Sequence, residues 1–229
     1  MLIHAEPHVA SLQGKVAVVT GGAGSVGSAV VARLVSEGVR VVAVDQDRAP
    51  DPAPVGVNYL RGDVTQPATA PRAVATAEAA FGGLDLLVNA ASGSHPGSVA
   101  DIDLTCWNRV LAVNLTGTLL ACQAAVPAMR RRGAGVIVNL GAVDLMDSMS
   151  EQLAYVVSRE AVVALSRHLA LALGPLGVRV ECVHPGAADT DGGPEKDVAT
   201  RVLHLLSPAA RLRGHTPAAG DDIHTPARA

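Results

Sequence analysis

The sequence predicts a doubly wound α/β fold: a parallel sheet sandwiched between two layers of helices, folded as one domain. Three observations carry that prediction. Short apolar runs rich in Val alternate six times with longer segments of helical periodicity, which is the pattern of βαβ units. The runs are apolar on both sides, as strands covered on both faces of a parallel sheet must be. A glycine-rich turn joins the first such run to the first helical segment.

In chain order, Lys15–Thr20 (KVAVVT) reads as the first strand and Thr20–Gly27 (TGGAGSVG) as the turn. Ser28–Glu37 has helical spacing and is stopped by Gly38, which can take the left-handed conformation that ends helices. Val39–Val44 is the second strand, with Asp45 at its tip, and the acidic and proline-containing 46–56 is a loop. Val57–Arg61 is the third strand, followed by Gly62-Asp63-Val64. Ala68–Phe81 is a helix with Pro67 and Pro71 near its start, where proline is tolerated. Leu84–Asn89 is the fourth strand, and the Gly/Ser/Pro-containing 92–103 is a loop. Leu104–Arg131 contains a long helix closed by Gly133, and Gly135–Leu140 is the fifth strand. Gln152–Leu173 is a second long helix ended by Gly174-Pro175, and Val178–Val183 is the sixth strand. A helix follows around Val198–Leu206, and the polar tail from Ala209 holds one short strand at most. No repeat and no second core is visible, so residues 1–229 form one domain, with 1–13 and 215–229 expected as loosely ordered tails.

Of 229 residues, 49% are hydrophobic and 17% charged, which is enough apolar surface for a core and excludes wholesale disorder. The net charge of −3 offers no basic field for a phosphate backbone, and four aromatic residues (Tyr59, Phe81, Trp107, Tyr155) offer no stacking platform, so nucleic acid is not an expected partner. Cys106, Cys122 and Cys182 are odd in number and form no CxxC pair, which points away from a disulfide framework and toward a reducing compartment. The eight histidines are scattered without HExxH spacing, so no metal site is expected. Met1–Gly14 lacks a basic start and a long apolar run, and so does not read as a signal peptide. The apolar segment Ala161–Leu173 is broken by Arg167 and His168, and no uninterrupted run reaches the ~18 residues of a membrane span. A cytoplasmic protein with no membrane partner is the expectation.

The first chemical signal is the glycine turn. Glycines let a backbone approach a pyrophosphate, and the helix that follows presents free N–H groups and a partial positive charge. A lone glycine cluster is weak, since glycines also serve tight strand–helix packing. Here it follows the first strand, opens the first helix, and has Asp45 at the tip of the second strand, which is the context of a dinucleotide site. A carboxylate there accepts from the adenine ribose hydroxyls and repels a 2′-phosphate. Asp47 adds to that repulsion and Arg48 offsets part of it, so NAD is expected over NADP.

With these pieces in place, the sequence resembles the short-chain dehydrogenase/reductase family from about Lys15 to Thr190. The resemblance rests on TGGAGSVG, GDV (Gly62–Val64), LDLLVNAAS (Leu84–Ser92), VNLTG (Val113–Gly117), GVIVNLGAV (Gly135–Val143), Tyr155 with Arg159, and VRVECVHPGAADT (Val178–Thr190), in that order and spacing. It implies a three-layer Rossmann fold that binds NAD or NADP. By that resemblance Gly21, Ser25, Val26 and Gly27 surround the pyrophosphate and ribose, and Asp63 and Val64 meet the adenine. Asn89, Ala90 and Ala91 pass under the adenosine ribose, while Pro185, Gly186 and Thr190 approach the nicotinamide. Ser25 stands where the family has the middle glycine of its turn, with Gly24 moved one place ahead; NAAS stands for NNAG, which removes one asparagine.

The resemblance also implies a catalytic group of Asn, Ser, Tyr and Lys. Tyrosine is the general acid or base, lysine lowers its pKa from ~10 and holds the nicotinamide ribose, and serine anchors the substrate carbonyl. Asn114 and Tyr155 are present. The lysine position holds Arg159, and the serine position, thirteen residues before the tyrosine, holds Ala142 beside Gly141. A guanidinium keeps the charge but not the shape of an ammonium. Losing a hydroxyl that stabilises developing charge costs about 10²–10³ in rate. Ser92, Ser94 and His95 after the fourth strand, and Asp144 and Asp147 after the fifth, lie on the ligand-binding edge of the sheet and are candidates to fill in, although each also reads as a solvated loop residue. His184 reads as structural and His168 as a packing or interface residue. Only Asp191–Asp197 separates Thr190 from the helix near Val198, where the family carries a helical substrate lid, so the lid over 190–198 is shortened. An open pocket suits a bulky or carrier-borne small molecule, or none. Three functions stand: an atypical NAD-linked oxidoreductase on a carbonyl or alcohol; an inactive homologue serving as partner or scaffold of an active paralogue; and a non-redox enzyme of the same fold. The family's helix pairing predicts a homodimer or homotetramer, or a hetero-oligomer with a paralogue, through Leu104–Arg131 and Gln152–Leu173.

Overall fold

The computed structural model describes residues 12–49, 54–141, 151–183 and 194–207. Its centre is an all-parallel sheet of β1 (Val16–Thr20), β2 (Arg40–Asp45), β3 (Val57–Arg61), β4 (Leu86–Asn89), β5 (Gly135–Leu140) and β6 (Val178–Val183) in the order β3-β2-β1-β4-β5-β6. The order reverses at β1, so a crevice opens above the C-terminal ends of β1 and β4. Helices α1 (Ser25–Ser36) and α6 (Pro194–Leu206) cover one face, and α2 (Thr69–Phe81), α4 (Gly117–Arg131) and α5 (Leu153–Leu173) the other. α3 (Leu104–Leu111) leads into α4.

The doubly apolar strands behave as a two-sided sheet requires. In β1, Ala17 and Val19 pack toward α1 and α6, while Val16 and Val18 pack toward α2 and α4; all four are buried. Burying a valine contributes about 1.5–3 kcal/mol and an alanine methyl about 0.8, so Val and Ala build a core in which aromatic residues take almost no part.

Three differences from the sequence reading bear on the helices around the site. α1 begins at Ser25, three residues before the expected Ser28, because the end of the glycine turn is already helical: Ser28 N donates to Gly24 O at 2.8 Å. The stretch Leu104–Arg131 is not one regular helix; a π-helical turn, Ala112–Thr116, separates α3 from α4 and carries Asn114. α6 begins at Pro194 within the stretch expected as lid, a first-turn position where the missing N–H costs nothing. The run 104–131, rather than Ala161–Leu173, is the long apolar helical stretch among the described residues. It meets a length and mean-hydropathy criterion for crossing a membrane, but its inner face is core, with Ala121, Cys122, Ala125 and Met129 packed against the sheet. Leu12, expected in a loose N-terminal tail, is buried in the core beside α1 and α6. Residues 1–11 and 215–229 of the expected tails, the expected short C-terminal strand, and Ala142, Asp144, Asp147, His184, Pro185, Gly186 and Thr190 lie outside the described residues.

Candidate functional site

A cleft of about 460 Å³ follows the C-terminal ends of β2, β1, β4 and β5. It begins at Asp45, crosses the glycine turn, and ends at Tyr155 and Arg159 of α5.

The turn is shaped by contacts only glycine allows. Gly21 has φ +68°, and a Cβ there would lie 2.6 Å from the Ala91 Cα. A Cβ on Gly27 would lie 1.9 Å from the Gly21 carbonyl oxygen, so the helix start is folded directly onto the turn. Gly24 caps α1 with no side-chain bond, leaving the first N–H groups of Ser25, Val26 and Gly27 without a capping acceptor. Those three residues line the cleft. Uncapped amides at the positive end of a helix, with no side chain in the way, fit a diphosphate.

At one end of the cleft stand Asp45, Asp63 and Val64. The Asp45 carboxylate is partly buried and held in place: Oδ2 accepts from Ala23 N at 2.9 Å and Oδ1 from Asp47 N at 3.1 Å. A carboxylate has about four acceptor sites, so capacity for sugar hydroxyls remains. Asp63 closes its own loop by accepting from Thr65 N at 2.9 Å.

The middle of the wall is Ala90 and Ala91, with Ala91 N donating to Thr20 Oγ1 at 3.3 Å. Asn89, expected under the ribose, is 2% exposed and stands behind that wall. Its Nδ2 donates to Asn139 Oδ1 at 2.8 Å, and Asn139 Nδ2 donates to Ser166 Oγ at 2.9 Å. This buried polar chain ties β4 and β5 to α5 beneath the cleft floor.

At the far end Tyr155 is half-buried and lines the cleft. Arg159, one helical turn later, is only 2% exposed. Its Nη1 donates to the Leu140 carbonyl at 3.0 Å, its Nε has no partner, and its Cζ lies 5.2 Å from the centre of the Tyr155 ring. No carboxylate among the described residues pairs with it. The positive charge therefore sits against the Tyr155 ring, locked by packing and one backbone carbonyl.

Asn114 is fully buried and does not face the cleft; its neighbour Val113 does. Asn114 Oδ1 accepts from Gly93 N at 2.7 Å, while Nδ2 donates to Gly93 O at 2.8 Å and to Ser158 Oγ at 2.9 Å. Ser158 Oγ in turn donates to Tyr155 O at 2.7 Å. The π turn swings this amide inward to clamp the loop after β4 to α5, a use typical of such turns near functional sites.

Ser92 lies on that loop and lines the cleft, whereas Ser94 and His95 are exposed outside it. The sequence reading missed Ser158, Asn139 and Ser166, all polar helix or strand residues whose partners are far away in the chain. Ser158, directly before Arg159, was the one placed to be noticed. No group of three or more His, Cys, Asp or Glu side chains suited to a metal occurs among the described residues. Burial pushes the Cys122 thiol up to about 12 and the Cys182 thiol up to about 11, so neither is a ready nucleophile.

Comparisons with known proteins bear on the family and the fold. The family model described as short chain dehydrogenase matches residues 15–199. The chain is 40% identical over 205 residues to a 3-alpha-(or 20-beta)-hydroxysteroid dehydrogenase of Mycobacterium tuberculosis, covering 86% of this chain and 79% of that protein. It is 36% identical over 189 residues to a 2-(S)-hydroxypropyl-CoM dehydrogenase of Xanthobacter autotrophicus, covering 79% and 74%. A crystal structure assigned to the short-chain dehydrogenase/reductases, from Burkholderia xenovorans, superposes with a TM-score of 0.78 at 30% identity, covering 88% of this chain and 92% of that one.

Proposed function

The chain belongs to the short-chain dehydrogenase/reductase family, and from that premise we propose that it binds NAD(H) in the cleft and acts on a small molecule carrying a secondary alcohol or ketone. Dehydrogenases of this family use nicotinamide cofactors. The observation that carries the reading is the continuity of one cleft from Asp45, past the uncapped start of α1, to Tyr155. Asp45 holds the adenine ribose and disfavours a 2′-phosphate; Ser25, Val26 and Gly27 hold the diphosphate through their amides; Asp63 and Val64 border the adenine. Bound there, the dinucleotide supplies or accepts a hydride. Tyr155 holds the proton exchanged with the substrate oxygen, and Asn114 fixes the loop that faces it. Pro185, Gly186 and Thr190 complete the nicotinamide end in this proposal.

A second reading has its own observation. Arg159 is buried and bonded to Leu140 O, and Ala142 supplies no hydroxyl, so the site binds the dinucleotide and turns over poorly. In that reading the protein is a partner or scaffold subunit of an active paralogue. Titration of the protein with NADH and NADPH tests the shared premise: absence of binding by both removes it. Turnover of a keto steroid with NADH then separates the two readings.

We further propose self-association through the outer faces of the apolar run 104–131 and α5. Relatives in the family are often oligomers. Leu104 is 75% exposed and Val157 38%, and only 39% of the most apolar window of 104–131 is buried within one chain. Light scattering at micromolar concentration should give a dimer or tetramer; a monomer refutes the homomeric form and leaves pairing with a paralogue, which co-purification of the two chains would test.

A further inference from the structure

We propose that Ser92 is a ligand for the second ribose of the dinucleotide, the one distal to Asp45; the inference rests on the NAD(H) reading above. The cleft fixes the order of the parts. With one ribose at Asp45 on β2 and the diphosphate on the amides of α1 beyond β1, the other ribose falls over the ends of β4 and β5.

The groups available there are few. Arg159 is the cation lining that end, but it is 2% exposed, its Nη1 is engaged by Leu140 O, and a guanidinium donates but cannot accept. Ala90, Ala91, Val113, Leu140 and Gly141 present no side-chain donor. Two hydroxyls remain at that end among the described residues, Tyr155 and Ser92. The Ser92 side chain is exposed in the cleft, and its hydroxyl has no hydrogen bond to the rest of the described chain. A hydroxyl both donates and accepts, which is what a vicinal diol requires.

The loop that carries Ser92 is fixed in position rather than free. Immediately after it, Gly93 is gripped through both its N–H and its carbonyl by Asn114, which is bonded through Ser158 to the Tyr155 carbonyl. Further along, Gly97 N donates to Glu151 O at 2.7 Å and Leu153 N donates to Gly97 O at 3.2 Å, a two-bond strap onto the start of α5. The two attachments hold Ser92 and Tyr155 in one frame, so little ordering is left to oppose the contact.

The test is calorimetric titration of the full chain and of Ser92→Ala with NADH, ADP-ribose and ADP. NADH and ADP-ribose contain the second ribose; ADP does not. One hydrogen bond lost should weaken NADH and ADP-ribose about fivefold and leave ADP unchanged. Ser94→Ala, on the same loop but outside the cleft, should leave all three unchanged. Unaltered NADH affinity in Ser92→Ala, or an equal loss for ADP, overturns the proposal while the NAD(H) reading stands. A parent chain that binds neither NADH nor ADP-ribose overturns both.

Discussion

The carboxylate of Asp45, at the end of β2, accepts the amide of Ala23 in the glycine turn at 2.9 Å. In the proposed reading, the acidic residue that would select the cofactor also holds the turn that would bind the diphosphate. NADH should bind at least tenfold more tightly than NADPH, since the 2′-phosphate would meet both Asp45 and Asp47. Asp45→Ala should shrink that gap and weaken NADH as well, because the turn loses its clamp. Asp45→Asn keeps an acceptor but not the charge, and should relax selectivity more than it weakens NADH. Fluorescence titration of the three proteins with both cofactors checks this; equal binding by the parent chain refutes it.

The two glycines of the turn at positions 24 and 27 should respond differently to the same methyl group. A Cβ on Gly24 would lie 3.4 Å from the Gly21 carbonyl oxygen, an ordinary contact, and Gly24 has φ −70°. Gly24→Ala should cost under about 1 kcal/mol, mostly through the poorer cap. On Gly27 the methyl would lie 1.9 Å from that same oxygen, and a backbone atom cannot turn aside. Gly27→Ala should cost about 3 kcal/mol or more and abolish dinucleotide binding. Denaturant melts and NADH titration of the pair decide it; equal behaviour would mean the turn is looser than its geometry.

The loop before α3 should contribute to the acid limb of stability. The Asp103 side chain caps the helix, accepting from Cys106 N at 2.9 Å and Thr105 N at 2.7 Å, and these bonds hold its carboxyl below the usual value. Asp101 is held low in the same way, first by the Ser98 hydroxyl. A carboxylate whose folded pKa is depressed contributes stability that is fully present above its unfolded value near 3.8 and is lost as pH falls through the folded one. Melting temperature should therefore fall below about pH 4, and Asp101→Asn with Asp103→Asn should flatten that fall while lowering stability at neutral pH. A parent-like acid slope in the double variant would place the titration elsewhere.

The sheet and the glycine turn were legible because their causes are local. A Val-rich run reads as a strand wherever it sits, and Gly21 and Gly27 sit at a fixed spacing from β1. The π turn was not legible: the Asn114 it carries bonds to Gly93, twenty-one residues away, and to Ser158, forty-four away. The same holds for Asn89: its motif suggests a cofactor contact, but its amide is consumed by Asn139 on the neighbouring strand. Periodicity reports which face of an element is buried, not which buried polar group satisfies another.

In the proposed reading, catalysis would turn on Arg159 and on the alanine at position 142. The arginine places a positive charge 5.2 Å from the Tyr155 ring centre, yet Nη1 is bonded to Leu140 O and the side chain is 2% exposed, so it presents little to a sugar or a substrate. A lysine would be shorter, with a compact ammonium and three rotatable donors. An alanine at position 142 carries no side-chain hydroxyl. Turnover of generic ketones by the parent chain should therefore be at least 100-fold below an ordinary ~10 s⁻¹. Ala142→Ser combined with Arg159→Lys should raise it by more than either change alone, because both groups serve one transition state. Stopped-flow measurement of NADH oxidation with each variant, after NADH binding is established, gives the comparison. If the parent chain already works at an ordinary rate, the degenerate-site reading fails, and Tyr155→Phe then locates the acid. Loss of activity assigns the proton to Tyr155; survival moves it to another group.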